Sequence, residues 1–127
     1  KLLKKIVKSL NVGNELVLTG FKKEERNRYG KIILDNNKKI IGYGAPAKAT
    51  TILNYFGLTN EHIEFTIDDN NLKQGKFIPG TNIQIKSIED IDPLNYDYVL
   101  VLAWNFFDQI KEQNKKYFPN AEFIKLK

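Results

Sequence analysis

The chain has no cysteine, no methionine and a single histidine among its 127 residues. Without cysteine it forms no disulfide and offers no thiolate for catalysis. A zinc site with four ligands is not expected, because His62 would need three carboxylate partners. The composition carries no sign of secretion, and we predict a cytoplasmic protein.

Long apolar runs are also missing. The longest covers seven residues, Tyr98 to Trp104, whereas a membrane-spanning helix needs roughly 20. We therefore expect no membrane partner.

The chain starts at Lys1 and shows no signal-type segment, so we expect a piece of a longer protein. Its length allows one domain, and an apolar fraction of 42% is that of a folded chain.

Positive charge is concentrated at one end of the chain. Residues 1–31 hold nine Lys and Arg against three Glu, while the rest holds eleven basic and twelve acidic residues. Apolar positions recur at helical spacing in residues 1–10, and residues 24–36 also favour a helix. We interpret residues 1–36 as a helical arm with solvated lysines, preceding a domain at 37–127. A patch that binds nucleic acid or a membrane surface is the alternative, but no strand interleaves basic and aromatic residues, so we expect no nucleic-acid partner.

Strands and helices alternate after the arm. The predicted strands are 39–43, 64–67, 82–85, 97–103 and 122–126. The predicted helices are 46–56, a short one at 87–90, and one that Asn105 caps and Pro119 ends; most of 72–87 is predicted as loop. This order predicts a Rossmann-like three-layer α/β domain with a mainly parallel sheet.

A glycine turn joins the first predicted strand to the first predicted helix. The run Gly42-Tyr-Gly-Ala-Pro-Ala-Lys48 satisfies G-x-G-x-x-A. Gly42 permits a tight turn, Gly44 lets a ligand approach the backbone, and Pro46 suits the first helical turn. Free amides and the positive end of the helix favour a phosphate there, and Lys48 adds a cation.

Three further segments follow strands whose carboxyl ends should meet this turn. Asp68 lies 26 residues past Gly42, where an acid binds ribose in dinucleotide folds or, equally, closes a solvated turn; for Asp69 we favour the turn. The 73–80 segment, with two glycines, one proline and two lysines, belongs to a 16-residue connection that is long enough to suggest a binding loop. Trp104 offers a flat face to a base or sugar, and Asn105 offers an amide or a helix cap.

These observations define a candidate substrate-binding set without catalytic residues. No nucleophile elbow or paired carboxylates are present, and His62 is interpreted as a surface residue. The set comprises Gly42, Tyr43, Gly44, Ala45, Pro46, Lys48, Asp68, Lys73, Gln74, Gly75, Lys76, Trp104 and Asn105.

Three segments of the chain resemble the C-terminal domain of S-adenosylmethionine-dependent sugar C-methyltransferases. They are the run Gly42 to Leu58, the run Lys73-Gln-Gly-Lys76 with Pro79-Gly80, and Leu102-Ala-Trp-Asn105. The similarity covers roughly residues 39–108 and departs at Ala49, where the family usually has Gly.

The resemblance implies a larger enzyme with a zinc-binding N-terminal part and a central methyltransferase part that binds S-adenosylmethionine. The C-terminal domain would bind a nucleotide-linked ketosugar through Gly44, Ala45, Lys48 and residues 73–76. It would hold no cofactor itself and would not be catalytic alone. Two alternatives stay open: an NAD-binding module of an oxidoreductase and a basic nucleic-acid-binding module.

Overall fold

The computed structural model describes residue 32 and residues 38–125. The predicted helices at 1–10 and 24–36 lie outside the described residues, apart from Ile32, which is helical and packs against the core. The boundary of the proposed arm therefore stays a prediction.

Residues 38–125 form one sheet of six strands with a helix on each face. The strands are β1 (Ile40–Tyr43), β2 (Phe65–Ile67), β3 (Phe77–Ile78), β4 (Ile83–Lys86), β5 (Tyr98–Val101) and β6 (Glu122–Lys125). The helices are α1 (Ala47–Phe56) and α2 (Phe107–Asn114), and 3-10 turns cover Ile88–Asp90, Pro93–Asn95 and Trp104–Phe106.

The strand order is β3-β4-β2-β1-β5-β6, and every neighbouring pair is parallel except β3 with β4. The five parallel strands follow the order of the Rossmann fold, with a change of direction between β1 and β5. The predicted Rossmann-like three-layer fold is confirmed.

Two apolar clusters fill the space between the sheet and its helices. α1 buries Ala49, Ile52, Leu53 and Phe56 on one face, and α2 covers Ile41, Val99 and Val101 on the other. Because both faces are covered, the central strands are mostly apolar, as the Val-Leu-Val run of β5 predicted. Gly57 ends α1 in the left-handed conformation (φ 68°), as the sequence indicated.

Three local predictions need correction. α1 begins at Ala47, and Pro46 is an extended cap residue before it. Asn105 does not cap a helix: it lies within the Trp104–Phe106 turn, and α2 begins at Phe107 without a side-chain cap. The segment predicted as loop contains β3, which forms an antiparallel hairpin with β4.

Candidate functional site

The turn after β1 is fixed to β2 by two short hydrogen bonds. The Gly44 amide donates to the Ile67 carbonyl at 2.6 Å, and the Thr66 hydroxyl donates to the Gly44 carbonyl at 2.6 Å. Gly44 has φ +93°, a conformation that favours glycine. Both backbone polar groups of Gly44 are therefore engaged within the chain, and a ligand would bind amides further along the turn.

Gly42 makes room for this arrangement. A Cβ on Gly42 would lie 2.8 Å from the Thr66 hydroxyl oxygen, so a larger residue would displace the side chain that holds Gly44. Thr66 is fully buried. A polar residue within an apolar strand was the sequence signal for this contact, and sequence reasoning missed it.

The N-terminus of α1 follows the turn and has no capping side-chain hydrogen bond. No side chain bonds its first amides, and its first turn holds no acidic residue. The Ala49 amide donates to the Pro46 carbonyl at 3.0 Å. The amides of Ala47 and Lys48 precede it and have no acceptor within the helix. Uncapped amides together with the positive end of the helix form an environment suited to an anion.

Trp104 comes from the end of β5 and lies beside this helix. The Lys48 ammonium is 5.9 Å from the centre of the Trp104 ring. Trp104 is only 9% exposed, so little of its indole is open to a base or sugar. The Lys48 ammonium lies within the range of a cation–π interaction with this ring.

Lys73 brings a second cation to the same turn. Its ammonium donates to the Ala45 carbonyl at 3.2 Å from the loop after β2. The predicted meeting of the β1 turn, the 73–80 segment and the end of β5 is thus present in the structure. Within the described part of the chain, neither Lys48 nor Lys73 forms an ion pair. The turn therefore has two cations and no carboxylate that neutralises them.

Several residues of the candidate set make no side-chain contact with this turn that the structure shows. Gln74 donates to the Asp68 carbonyl at 2.8 Å, and Gly75 turns the loop with φ +85°. Lys76 is exposed and accepts a backbone hydrogen bond from Ile85. Asn105 is exposed within its 3-10 turn.

The two acidic residues after β2 are used by the chain itself. One carboxylate oxygen of Asp68 accepts from the Asn70 amide at 2.8 Å, and Asp69 accepts from the Tyr43 hydroxyl at 3.3 Å. Burial, and then the neighbouring Asp69 carboxylate, raise the pKa of Tyr43 to about 12. Tyr43 also packs in the same apolar cluster as Phe107 and Ile110 of α2. Its side chain therefore lies on the α2 face of the sheet, away from Lys48 on the α1 face.

The described residues contain neither a membrane-spanning helix nor a metal-binding cluster. None of their helices has the length and apolarity that a membrane crossing requires. No group of three or more histidine, aspartate or glutamate side chains in residues 38–125 is arranged to hold a metal ion.

The fold and the turn define a Rossmann-like domain whose candidate site lies where the strand order changes direction. Residues 22–125 match the family model described as the C-methyltransferase C-terminal domain. The chain belongs to this family. It is therefore a domain associated with methyltransferases.

A curated relative supports the same family. The chain is 39% identical over 89 residues to C-methyltransferase NovU of Streptomyces niveus. The aligned region covers 70% of this chain but 21% of the relative. The aligned part of this chain thus spans about a fifth of the length of that relative.

Proposed function

We propose that this domain binds the diphosphate of a nucleotide-linked ketosugar for a C-methyltransferase. The observation that carries the proposal is the pair of lysines, free of carboxylate partners in the described residues, at an uncapped helix N-terminus. A diphosphate matches this arrangement because its negative charge would compensate both ammonium groups and the helix end.

The proposed contacts differ among the candidate residues. The amides of Ala45, Ala47 and Lys48 would donate to one phosphate, since the Gly44 amide is engaged with Ile67. The Lys48 and Lys73 ammonium groups would donate to the phosphate oxygens. Each has further N–H groups beyond its present contact, so neither has to leave its position completely.

The chemistry of methyl transfer would take place elsewhere in the parent enzyme. S-adenosylmethionine would supply the methyl group in the central domain, and zinc would belong to the N-terminal part. This domain would fix the nucleotide end of the substrate while the central domain removes the proton and methylates the sugar. A cytoplasmic location stays a prediction from composition.

An NAD-binding module is the weaker candidate. Dinucleotide folds use an acid after the second strand to bind the ribose hydroxyls. Here Asp68 accepts from Asn70, and Asp69 accepts from Tyr43. Both carboxylates therefore have partners within the chain, and we expect nucleotide sugars to bind in preference to NAD. Nucleic-acid binding would depend on residues 1–31 and would disappear when they are deleted.

Calorimetric titration of the 127-residue chain with thymidine diphosphate glucose tests the proposal. We expect binding in the wild type, and Lys48→Ala should weaken it by about 1–3 kcal/mol, as expected for lost hydrogen bonds to a charged group. Lys116→Ala is the matched control, because Lys116 lies over an aromatic ring, that of Tyr117, outside the site. Absence of binding to any nucleoside diphosphate, or equal losses in both variants, would contradict the proposal.

A further inference from the structure

The loop after β2 is attached to the fold at both ends. The loop starts at Asp68, whose carbonyl accepts a hydrogen bond from the Gln74 side-chain amide at 2.8 Å. At its end the Gly75 amide donates to the Ile85 carbonyl of β4 at 2.7 Å. Between them, the backbone amides of Lys73 and Gln74 both donate to the Asn70 carbonyl. The 68–76 loop is therefore a closed turn, and Gln74 is the side chain that ties it back to the end of β2.

Lys73 projects from this loop to the other side of the site. Its ammonium reaches the Ala45 carbonyl, 28 residues earlier in the chain. Lys73 and Gln74 are half-buried neighbours in sequence, and each donates to a backbone carbonyl. The Lys73 contact connects the loop after β2 to the β1 turn. The Gln74 contact fixes the backbone from which the Lys73 side chain extends.

We propose that Gln74 is a positioning residue that holds the Lys73 ammonium at the β1 turn. The inference rests on the proposed function, in which that ammonium binds the diphosphate. In this role Gln74 acts through its hydrogen bond to the Asp68 carbonyl and not through contact with the ligand. A lysine has many side-chain conformations, and a fixed backbone restricts its ammonium to the region of Ala45. Loss of the Gln74 contact should therefore loosen the start of the Lys73 side chain and reduce the time that its charge spends at the site, although the residue remains.

A double-mutant cycle in the 127-residue chain tests this role. The variants are Gln74→Met, Lys73→Met and the double variant, each of similar size to the original side chain. Asn120→Leu is the matched control, since Asn120 also donates a side-chain amide to a backbone carbonyl, that of Leu94, outside the site. Affinity for thymidine diphosphate glucose is measured at low and high salt.

The losses of affinity in the two single variants should not add up in the double variant. Lys73→Met should weaken binding about tenfold, and Gln74→Met about three- to tenfold, whereas the double variant should equal Lys73→Met. The neutral change Gln74→Met should also reduce the salt dependence of binding, as Lys73→Met does, because the charge no longer acts at the phosphate. A merely structural role for Gln74 would not change the salt dependence. Asn120→Leu should leave affinity and salt dependence unchanged.

Fully additive losses, unchanged affinity in Gln74→Met, or an unchanged salt dependence would overturn the proposal. A second readout needs no ligand: the acylation rate of the Lys73 amine, measured by mass spectrometry, should rise in Gln74→Met and not in Asn120→Leu. If no variant binds the nucleotide but this rate rises, the positioning role holds and the proposed function fails. If the rate does not change, the positioning role is wrong whatever the binding result.

Discussion

At the scale of single residues, the β1 turn depends on the missing side chain of Gly44. Its φ of +93° disfavours any residue with a Cβ, and a Cβ there would lie 2.8 Å from the Ala103 Cβ. Gly75 has a similar φ of +85°, but nothing lies within 4 Å of its Cβ position. A comparison of substitutions at the two glycines therefore separates the cost of backbone strain from the cost of steric overlap.

This comparison gives a prediction for the free energy of unfolding. Gly75→Ala should lose about 1–2 kcal/mol from backbone strain alone. Gly44→Ala should lose about 1–3 kcal/mol more, because overpacking against Ala103 adds to the strain. Urea denaturation of both variants measures the difference. Equal losses would mean that the contact between the turn and the end of β5 has no energetic weight.

At the scale of elements, β2 holds the turn that follows β1. The Thr66 hydroxyl supplies one of the two hydrogen bonds to Gly44, and the Ile67 carbonyl accepts the other. Thr66 is fully buried, so water cannot replace its hydroxyl without a rearrangement. The geometry of the candidate site thus depends on a strand that contributes no ligand contact.

Thr66→Val should leave the Gly44 carbonyl without a donor and cost about 1–3 kcal/mol of stability. Thr66→Ser keeps the hydroxyl and serves as the control. Amide hydrogen exchange at Gly44 should accelerate in the valine variant more than in the serine variant, because the turn loosens only when the hydroxyl is lost. Similar exchange in both variants would show that Thr66 does not hold the turn.

At the scale of the whole molecule, the single histidine contributes to the pH dependence of stability near neutrality. The His62 ring nitrogen Nδ1 accepts from the Thr59 amide at 3.1 Å, and burial lowers the pKa of His62 below its usual 6.5. The unfolded chain therefore takes up a proton at a higher pH than the folded one. The stabilisation is complete above the unfolded pKa and is lost as pH falls through the folded pKa.

We predict that the free energy of unfolding decreases as the pH falls from about 7.5 to about 5, around the histidine titration range. The free energy of unfolding of His62→Gln should decrease less over this range. The variant lacks the contribution that starts when the unfolded histidine takes up its proton. Denaturant titrations of both proteins at a series of pH values measure it. A wild-type decrease that the variant reproduces in full would assign the pH dependence to other groups.

The order of elements was largely predictable from the sequence. Short apolar runs gave five of the six strands to within two residues at either end, because a strand buried on both faces contains few polar residues. Ser87 indicated the short turn that follows β4, and its hydroxyl accepts from the Glu89 amide as a cap residue does. The strand β3 was missed, because two residues carry too little periodicity to be recognised.

The candidate site was predictable in its position but not in its contacts. Gly44, Lys48 and Lys73 were selected correctly as residues that meet at one turn, since the carboxyl ends of parallel strands share an edge. The sequence did not indicate that Tyr43 faces α2, that Trp104 is buried beside Lys48, or that Thr66 holds Gly44. Each of these depends on which side chains from distant strands share a face.

The sequence by itself determined the alternation of strands and helices and the glycine turn between β1 and α1, because periodicity and backbone freedom are properties of neighbouring residues. Tertiary structure decided which amides and ammonium groups are available at that turn. The register between β1 and β2 pairs Gly42 with Thr66, and this pairing places the hydroxyl next to Gly44. Such contacts join residues more than 20 positions apart, so they arise only when the sheet has formed.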